Sequence, residues 1–241
     1  MSQDEDQLKM EAAESATGLV QDGMIVGLGS GTTAAFAVRD LGRRVKQGLQ
    51  IVGIPTSERT AAQAKALGIP VSSLAEHPHI DITIDGADQV DEENLNLVKG
   101  HGGALLREKI VACATRRLVI MVHTSKLVQH LALDQPIPVE VVPFGWQATA
   151  AYLKDLGAVP VLRRNPDGQD YHSDSGNYIL DCTFETGMSA AWLARRLDHV
   201  VGLVEHGLFI GMTSEVHVAG EKGVRILKAT GHETQNAESA V

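Results

Sequence analysis

The chain has 241 residues, 44% of them apolar, 21% charged and 4% aromatic, with a formal net charge of −9. That is enough apolar material for one large domain or two modest ones. The acidic balance speaks against a broad nucleic-acid surface, which needs clustered Lys and Arg, and the scarcity of aromatics speaks against stacking platforms for bases or glycans. No run approaches the roughly 18 uninterrupted apolar residues of a membrane helix, and the opening Met1-Ser2-Gln3-Asp4-Glu5-Asp6 is acidic where a signal peptide would be basic, so a cytoplasmic protein without membrane contact is expected. Cys113 and Cys182 lie in apolar surroundings and read as core residues rather than as a disulfide.

Leu8, Ala12, Ala16, Leu19 and Val20 recur at helical intervals, which predicts an amphipathic helix from Glu5 to Val20. A strand at residues 24–28, a Gly/Ser/Thr turn and a helix over residues 33–45 follow. Next come a strand at residues 51–54 and a helix opening near Thr56-Ser57-Glu58, where hydroxyls can cap and Glu suits the dipole. The alternation continues with a strand at residues 80–84, a long polar loop from Asp85 to Asn96, a helix over residues 105–115 and a strand at residues 118–122. Such alternation implies a Rossmann-like parallel sheet, which binds ligands beyond the carboxyl ends of its strands. After Asp134-Gln135-Pro136 the order becomes β-α-β-β-α-β, the split pattern of a ferredoxin-like α+β module. The expected α/β organisation is therefore a catalytic domain of residues 1–131 plus 206–230, an inserted ferredoxin-like domain of residues 132–205, and a disordered tail at 231–241.

Three loops could carry chemistry. Gly27-Leu28-Gly29-Ser30-Gly31-Thr32-Thr33 joins a strand to a helix and would aim backbone N–H groups at an anion such as a phosphate, or would simply cap the helix. It is neither a dinucleotide fingerprint nor a P-loop, because Thr32 replaces the third glycine and no Gly-Lys-Ser/Thr occurs. Asp85-Gly86-Ala87-Asp88 follows a strand directly, where Asp85 and Asp88 could exchange protons with sugar hydroxyls; Asp91 reads as a turn residue. Lys99-Gly100-His101-Gly102-Gly103 leads into a helix, so its amides and Lys99 could stabilise negative charge. On that helix Leu105, Leu106, Ile110 and Cys113 read as the buried face. Glu108 falls on the flank, one turn above Ala104, and leans back toward the loop. The rival reading of Arg107, Glu108 and Lys109 is a solvated charged face. Lys126 follows a strand end and could reach a phosphate. Ten histidines yield no two-histidine motif with a third ligand, so no metal is expected.

Together these loops resemble the ribose-5-phosphate isomerases of type A. The resemblance rests on Gly29-Ser30-Gly31-Thr32-Thr33-Ala34, Asp85-Gly86-Ala87-Asp88 and Lys99 through Lys109, and extends to Ser125-Lys126, residues 138–143, residues 176–181 and residues 202–209. It implies a cofactor-free aldose–ketose isomerase acting on a small phosphorylated pentose, with Glu108 as the base that moves a proton between C2 and C1 through an enediolate. It further implies Lys99 and the loop amides on the enediolate oxygen, Asp85 in ring opening and Asp88 beside the hydroxyls. The phosphate would be held by Ser30, Thr32 and Thr33 with Lys126 and Lys9. A homodimer or homotetramer is expected, with the inserted domain as the association surface.

Two positions depart from the family pattern: Gln89 stands where Glu is usual, and His101 replaces the middle glycine of a triplet. His101 would strain the loop if a positive φ were required there, and a tolerated substitution is favoured over a new catalytic base. Rival functions for such a fold are a sugar-phosphate sensor, a coenzyme A transferase and an amino-sugar phosphate deaminase, the last separable by an ammonia-release assay.

Overall fold

In the computed structural model, which describes residues 3–184 and 188–229, the chain begins with α1 (Gln3–Thr17), β1 (Ile25–Leu28), α2 (Gly31–Lys46), β2 (Val52–Pro55) and α3 (Glu58–Ala66). There follow β3 (Ile82–Gly86), β4 (Gln89–Asp91), β5 (Leu97–Val98), α4 (Leu105–Cys113), β6 (Leu118–His123) and β7 (Leu127–Val128). Next come β8 (Ile137–Val141), α5 (Trp146–Asp155), β9 (Ala158–Leu162), β10 (Tyr178–Phe184), α6 (Ala190–Leu197) and β11 (Leu203–His206). The last described elements are β12 (Leu208–Phe209), β13 (Glu215–Gly220) and β14 (Gly223–Lys228).

The main sheet has the order β14-β13-β6-β3-β1-β2, with every pair parallel except the β13–β14 hairpin. Its central strands β3 and β6 are buried at every position, as strands covered on both faces must be. Strand order reverses between β1 and β3: β2 lies on one side of β1, and later strands lie on the other. That is the switch point beside which α/β sheets open a ligand crevice. α2 shows why its segment folds as a helix. Ala34, Ala37, Val38 and Leu41 form its buried stripe, Arg39, Arg43 and Lys46 face water, and Arg43, Arg44 and Lys46 complement the dipole of its last turn. Ala12, Ala13 and Ala16 of α1 share that core, their small side chains letting α1 pack closely on α2.

The second sheet, β11-β8-β10-β9, is antiparallel throughout the pairs it forms. Numbered within its own segment that order is 4-1-3-2, the ferredoxin-like arrangement, with α5 and α6 as its helices. Ile137, Val139 and Val141 point into its core with Leu153, Leu193 and Leu197. Ser189 caps α6, accepting the Trp192 N–H at 3.2 Å.

Several expectations need correction. Residues 85–96 are not one long loop: β3 extends through Gly86, and β4 and β5 join β7 and β12 in a small third sheet. These strands are two or three residues long, too short for any alternation to register. α1 ends at Thr17 rather than Val20, and α2 begins at Gly31. On α4 the buried residues are Leu105, Glu108, Lys109, Val111 and Ala112, whereas Ile110 is 48% exposed and Cys113 is exposed. The expected apolar face is rotated because the two buried charges find partners inside, Glu108 at Lys99 in the preceding loop and Lys109 at Glu205 of β11. Cys182 is a core residue as read. The tail at 231–241 lies outside the described residues.

Candidate active site

The carboxyl ends of β1, β2, β3 and β6 converge at the switch point. β1 runs into Gly29-Ser30, and α2 starts at Gly31 with its first-turn N–H groups free of a side-chain cap. The Ser30 hydroxyl instead meets Thr56 Oγ1 at 2.7 Å, and Thr60 Oγ1 donates to Gly29 O at 3.0 Å, so the turn is braced from behind while Gly31, Thr32 and Thr33 at the start of α2 line the crevice. Gly29 has a steric reason to be glycine: a Cβ there would stand 2.2 Å from Asp85 Oδ1.

Asp85, at the end of β3, is 1% exposed. Its Oδ1 accepts the N–H groups of Gly86 at 2.7 Å and Ser30 at 3.1 Å, and its Oδ2 lies 3.0 Å from Lys99 Nζ. Lys99 Nζ also donates to Gly86 O at 2.7 Å and approaches Glu108 Oε2 to 3.4 Å. Three buried groups, two acids and one base, thus share one site.

Burial works against the Lys99 ammonium, but Asp85 and Glu108 outweigh it and hold Lys99 firmly protonated. Burial pushes the Glu108 carboxyl up to about 8; Lys99 opposes that rise, and Asp85 and Asp88 add to it. Asp85 is raised by burial too, against the pull of Lys99 and the two amides. Those amides and the shorter contact to Lys99 favour the charged form of Asp85, while Glu108 lies farther from the ammonium and has only the longer contact.

The cleft wall contains Ser30, Gly31, Thr32, Thr33, Gly86, Ala87, Asp88, Lys99, Gly100, Gly102 and Glu108, together with Lys9, Lys126 and Glu5. Of the expected site residues, Gly29, Asp85, His101 and Gly103 are not among those that line this wall. Gly100 and Gly103 take the left-handed conformations that shape the loop, at φ 106° and 82°, and His101 does not, so its side chain imposes no strain. Its N–H donates to Asp88 Oδ2 at 2.9 Å, and its Nε2 lies 3.0 Å from Pro136 O. Gln89 Oε1 accepts the Ala132 N–H at 2.7 Å, which gives that departure a structural post outside the cleft.

Sequence reasoning missed three features. Glu5 lies in the cleft, although the acidic start of the chain offered only a compositional signal. Thr56 and Thr60 back the Ser30 turn, a role their place just past β2 could have suggested. The residues flanking Glu108 grip the rest of the molecule. Arg107 Nη1 donates to Glu58 Oε1 at 2.7 Å and its Nη2 to Asp174 O at 3.0 Å, while Lys109 Nζ donates to Glu205 Oε1 at 2.7 Å and His206 O at 2.6 Å. Asp198, Glu205 and His206 form a group that could ligate a metal, but Lys109 meets its charge from within the chain.

Residues 52–223 match the family model of ribose 5-phosphate isomerase A (phosphoriboisomerase A). The ribose-5-phosphate isomerase A of Gloeobacter violaceus is 56% identical over 224 residues, covering 93% of this chain and 97% of its own, and that of a Synechococcus strain is 52% identical, covering 92% and 97%. The solved ribose 5-phosphate isomerase A of Methanocaldococcus jannaschii superposes with a TM-score of 0.88 at 39% identity, covering 92% of this chain and 98% of its own. Extended similarity of sequence and of fold coincides with the buried Asp85–Lys99–Glu108 cluster, and the chain belongs to the ribose 5-phosphate isomerase A family.

Proposed function

We propose that this protein interconverts ribose 5-phosphate and ribulose 5-phosphate by proton transfer through an enediolate, with Glu108 as the base. The observation that carries the reading is the Glu108 carboxyl itself: buried, lacking a hydrogen bond at Oε2, raised to about 8, and opening on a cleft that begins at the N-terminus of α2. A carboxyl poised near neutrality can both take and return a proton.

In this reading the phosphate rests on the first-turn amides of α2 with Ser30, Thr32 and Thr33, and Lys9 and Lys126 supply charge. Its binding energy holds C1 and C2 against Glu108. Glu108 takes the C2 proton, and the electron pair left behind moves through a new C1–C2 double bond onto O1. Lys99 and the amides of the Gly100 to Gly103 loop stabilise the oxygen that gains charge. The O2 proton passes to O1, with Asp88 facing the hydroxyls, and the proton on Glu108 goes to C1. Ring opening, implied for Asp85 by the resemblance, falls to the Lys99–Asp85 pair, since Lys99 is the member that reaches the cleft. All electrons stay within the substrate, so the scheme calls for no cofactor and no metal.

The same reading treats residues 132–205 as an inserted unit within a domain of residues 1–131 and 206–230. It also makes the protein a homo-oligomer, supported by Phe144, Val201 and Val159 at 94%, 80% and 65% exposure on that unit. A dimer or tetramer in sedimentation would agree; a monomer at micromolar concentration would remove that part. A cytoplasmic address suits a phosphorylated substrate and the free thiols Cys113 and Cys182. Among the described residues no helix is long and apolar enough to cross a membrane.

The test is ribulose 5-phosphate formation from ribose 5-phosphate by chelator-treated protein, with Glu108→Gln as control. Turnover by the wild type and none by the folded variant is expected. Near-normal turnover by the variant would reject the proton transfer, and activity lost in EDTA but restored by a divalent ion would reject the metal-free scheme.

A further inference from the structure

Lys9 is 3% exposed, and an ammonium so enclosed needs a compensating partner. The compensation comes from its own helix, one turn earlier: Glu5 Oε1 lies 2.7 Å from Lys9 Nζ. The same oxygen is 3.7 Å from His123 Nε2, a buried nitrogen with no hydrogen-bond partner among the described residues, at the end of the strand that leads to Lys126. Lys9 holds the Glu5 carboxyl below its usual range, so it is an anion at neutral pH. Glu5, Lys9 and Lys126 all line the cleft that also contains the open N-terminus of α2. A carboxylate thus stands among the cations and dipole assigned above to the substrate's phosphate.

We propose that Glu5 is an affinity-setting residue of this site, an internal carboxylate that occupies Lys9 in the empty enzyme and is exchanged for the phosphate of the substrate. The inference rests on the phosphate reading above. The exchange is feasible because the two partners differ in mobility. Lys9 is enclosed, whereas the Glu5 side chain is 36% exposed in the first turns of α1 and can turn outward to water, where the N-terminal dipole still favours it. A phosphate dianion next to Lys9 brings more charge and more acceptor oxygens than a carboxylate, and it can use Lys126 and the α2 amides at once. While Glu5 remains on Lys9 the two anions repel, so every binding event includes the loss of the Glu5–Lys9 pair. The site remains compensated when empty and binds less tightly than its cations alone would allow.

Substitution of Glu5 by Gln or Ala therefore strengthens binding. KM for ribose 5-phosphate and the inhibition constant of inorganic phosphate fall about two- to fivefold in both variants, the range expected when a partly exposed ion pair no longer competes with the ligand. In phosphate-free buffer the variants melt lower than the wild type, and inorganic phosphate raises their melting temperature by more than it raises that of the wild type. Lys9→Met is measured alongside. If Lys9→Met leaves both constants unchanged, the assignment of the phosphate to Lys9 fails and the present inference with it. If Lys9→Met raises them while Glu5→Gln and Glu5→Ala leave them unchanged or raise them, the phosphate assignment stands and Glu5 is only a structural partner of Lys9. Melting temperatures at saturating phosphate show whether each variant is folded, so a raised KM in a folded variant overturns the proposal outright.

Discussion

Glu108 Oε2 lies 3.4 Å from Lys99 Nζ, while Asp85 approaches the same ammonium to 3.0 Å and accepts two backbone N–H groups besides. One lysine thus serves two acids unequally. The well-solvated partner in a pair would be the weaker base; here Asp85 has the protein's own dipoles as its solvent, and Glu108 is left with a poorly stabilised charge. A carboxylate in that condition holds a proton more tightly than usual, which is the property a proton carrier between two carbon atoms needs.

Glu108→Gln keeps the shape of the side chain and removes its proton exchange. Turnover should fall by about 10³-fold or more, with the substrate still bound. The same change should stabilise the fold at alkaline pH. The Glu108 carboxyl ionises near 8 in the folded state and near 4.5 when unfolded, so between those values the unfolded chain binds fewer protons and stability declines as pH rises. Removing the carboxyl removes that decline. Urea unfolding at pH 8.5 should show a gain on the order of 2 kcal/mol that disappears at pH 4, and a loss at pH 8.5 would contradict the assigned burial cost.

The pH dependence of kcat/KM reports the free enzyme, so its acid limb should have a midpoint near about 8, activity rising as Glu108 loses its proton. Asp88 is one of the charges that raise this value. Asp88→Asn should therefore move the limb to lower pH while lowering activity through lost contacts. A wild-type limb at pH 4 to 5 would mean that the essential carboxyl is not held in this environment.

Gly29 and Gly102 form a matched pair for testing sterics. A Cβ at Gly29 would stand 2.2 Å from Asp85 Oδ1 and 2.6 Å from its Cα, whereas a Cβ at Gly102 meets nothing within 4 Å. Gly29→Ala should cost about 1–3 kcal/mol or more in thermal or urea unfolding and abolish most turnover by displacing Asp85. Gly102→Ala should leave stability within about 0.5 kcal/mol of the wild type. Equal effects at the two positions would reject this account of the turn.

Lys109 is compensated by Glu205 and by the carbonyl of His206, whose ring is fixed in turn by Asp198 at 3.1 Å. Lys109→Met leaves Glu205 with the His206 N–H but without its cation and should destabilise the protein by about 3 kcal/mol. Replacing both Lys109 and Glu205 by apolar residues should recover part of that loss. A double-mutant cycle showing no coupling would mean the contact does not hold α4 in place.

His101 carries no positive φ, is exposed, and does not line the cleft. His101→Gly should keep turnover within about threefold and cost no more than about 1 kcal/mol, chiefly through added freedom of the unfolded chain. A loss of several orders of magnitude would instead give the imidazole a part in catalysis.

What the chain's periodicity and loop chemistry determined by themselves was the alternation of strand and helix, the ferredoxin-like order of the second half, the cap at Ser57 and the three loops that meet at the crevice. These are local matters: apolar spacing selects an element, and glycine and hydroxyl residues select the turn that follows it. Only the tertiary structure decided how unequally Asp85 and Glu108 share Lys99, because that depends on what lies within a few ångströms of each carboxyl. Packing also decided the face of α4, where Glu108 and Lys109 are buried and Ile110 and Cys113 are not. Hydropathy sends charged residues outward unless a partner is at hand inside; Lys99 stands in the loop before α4, and Glu205, the partner of Lys109, comes from β11, far along the chain.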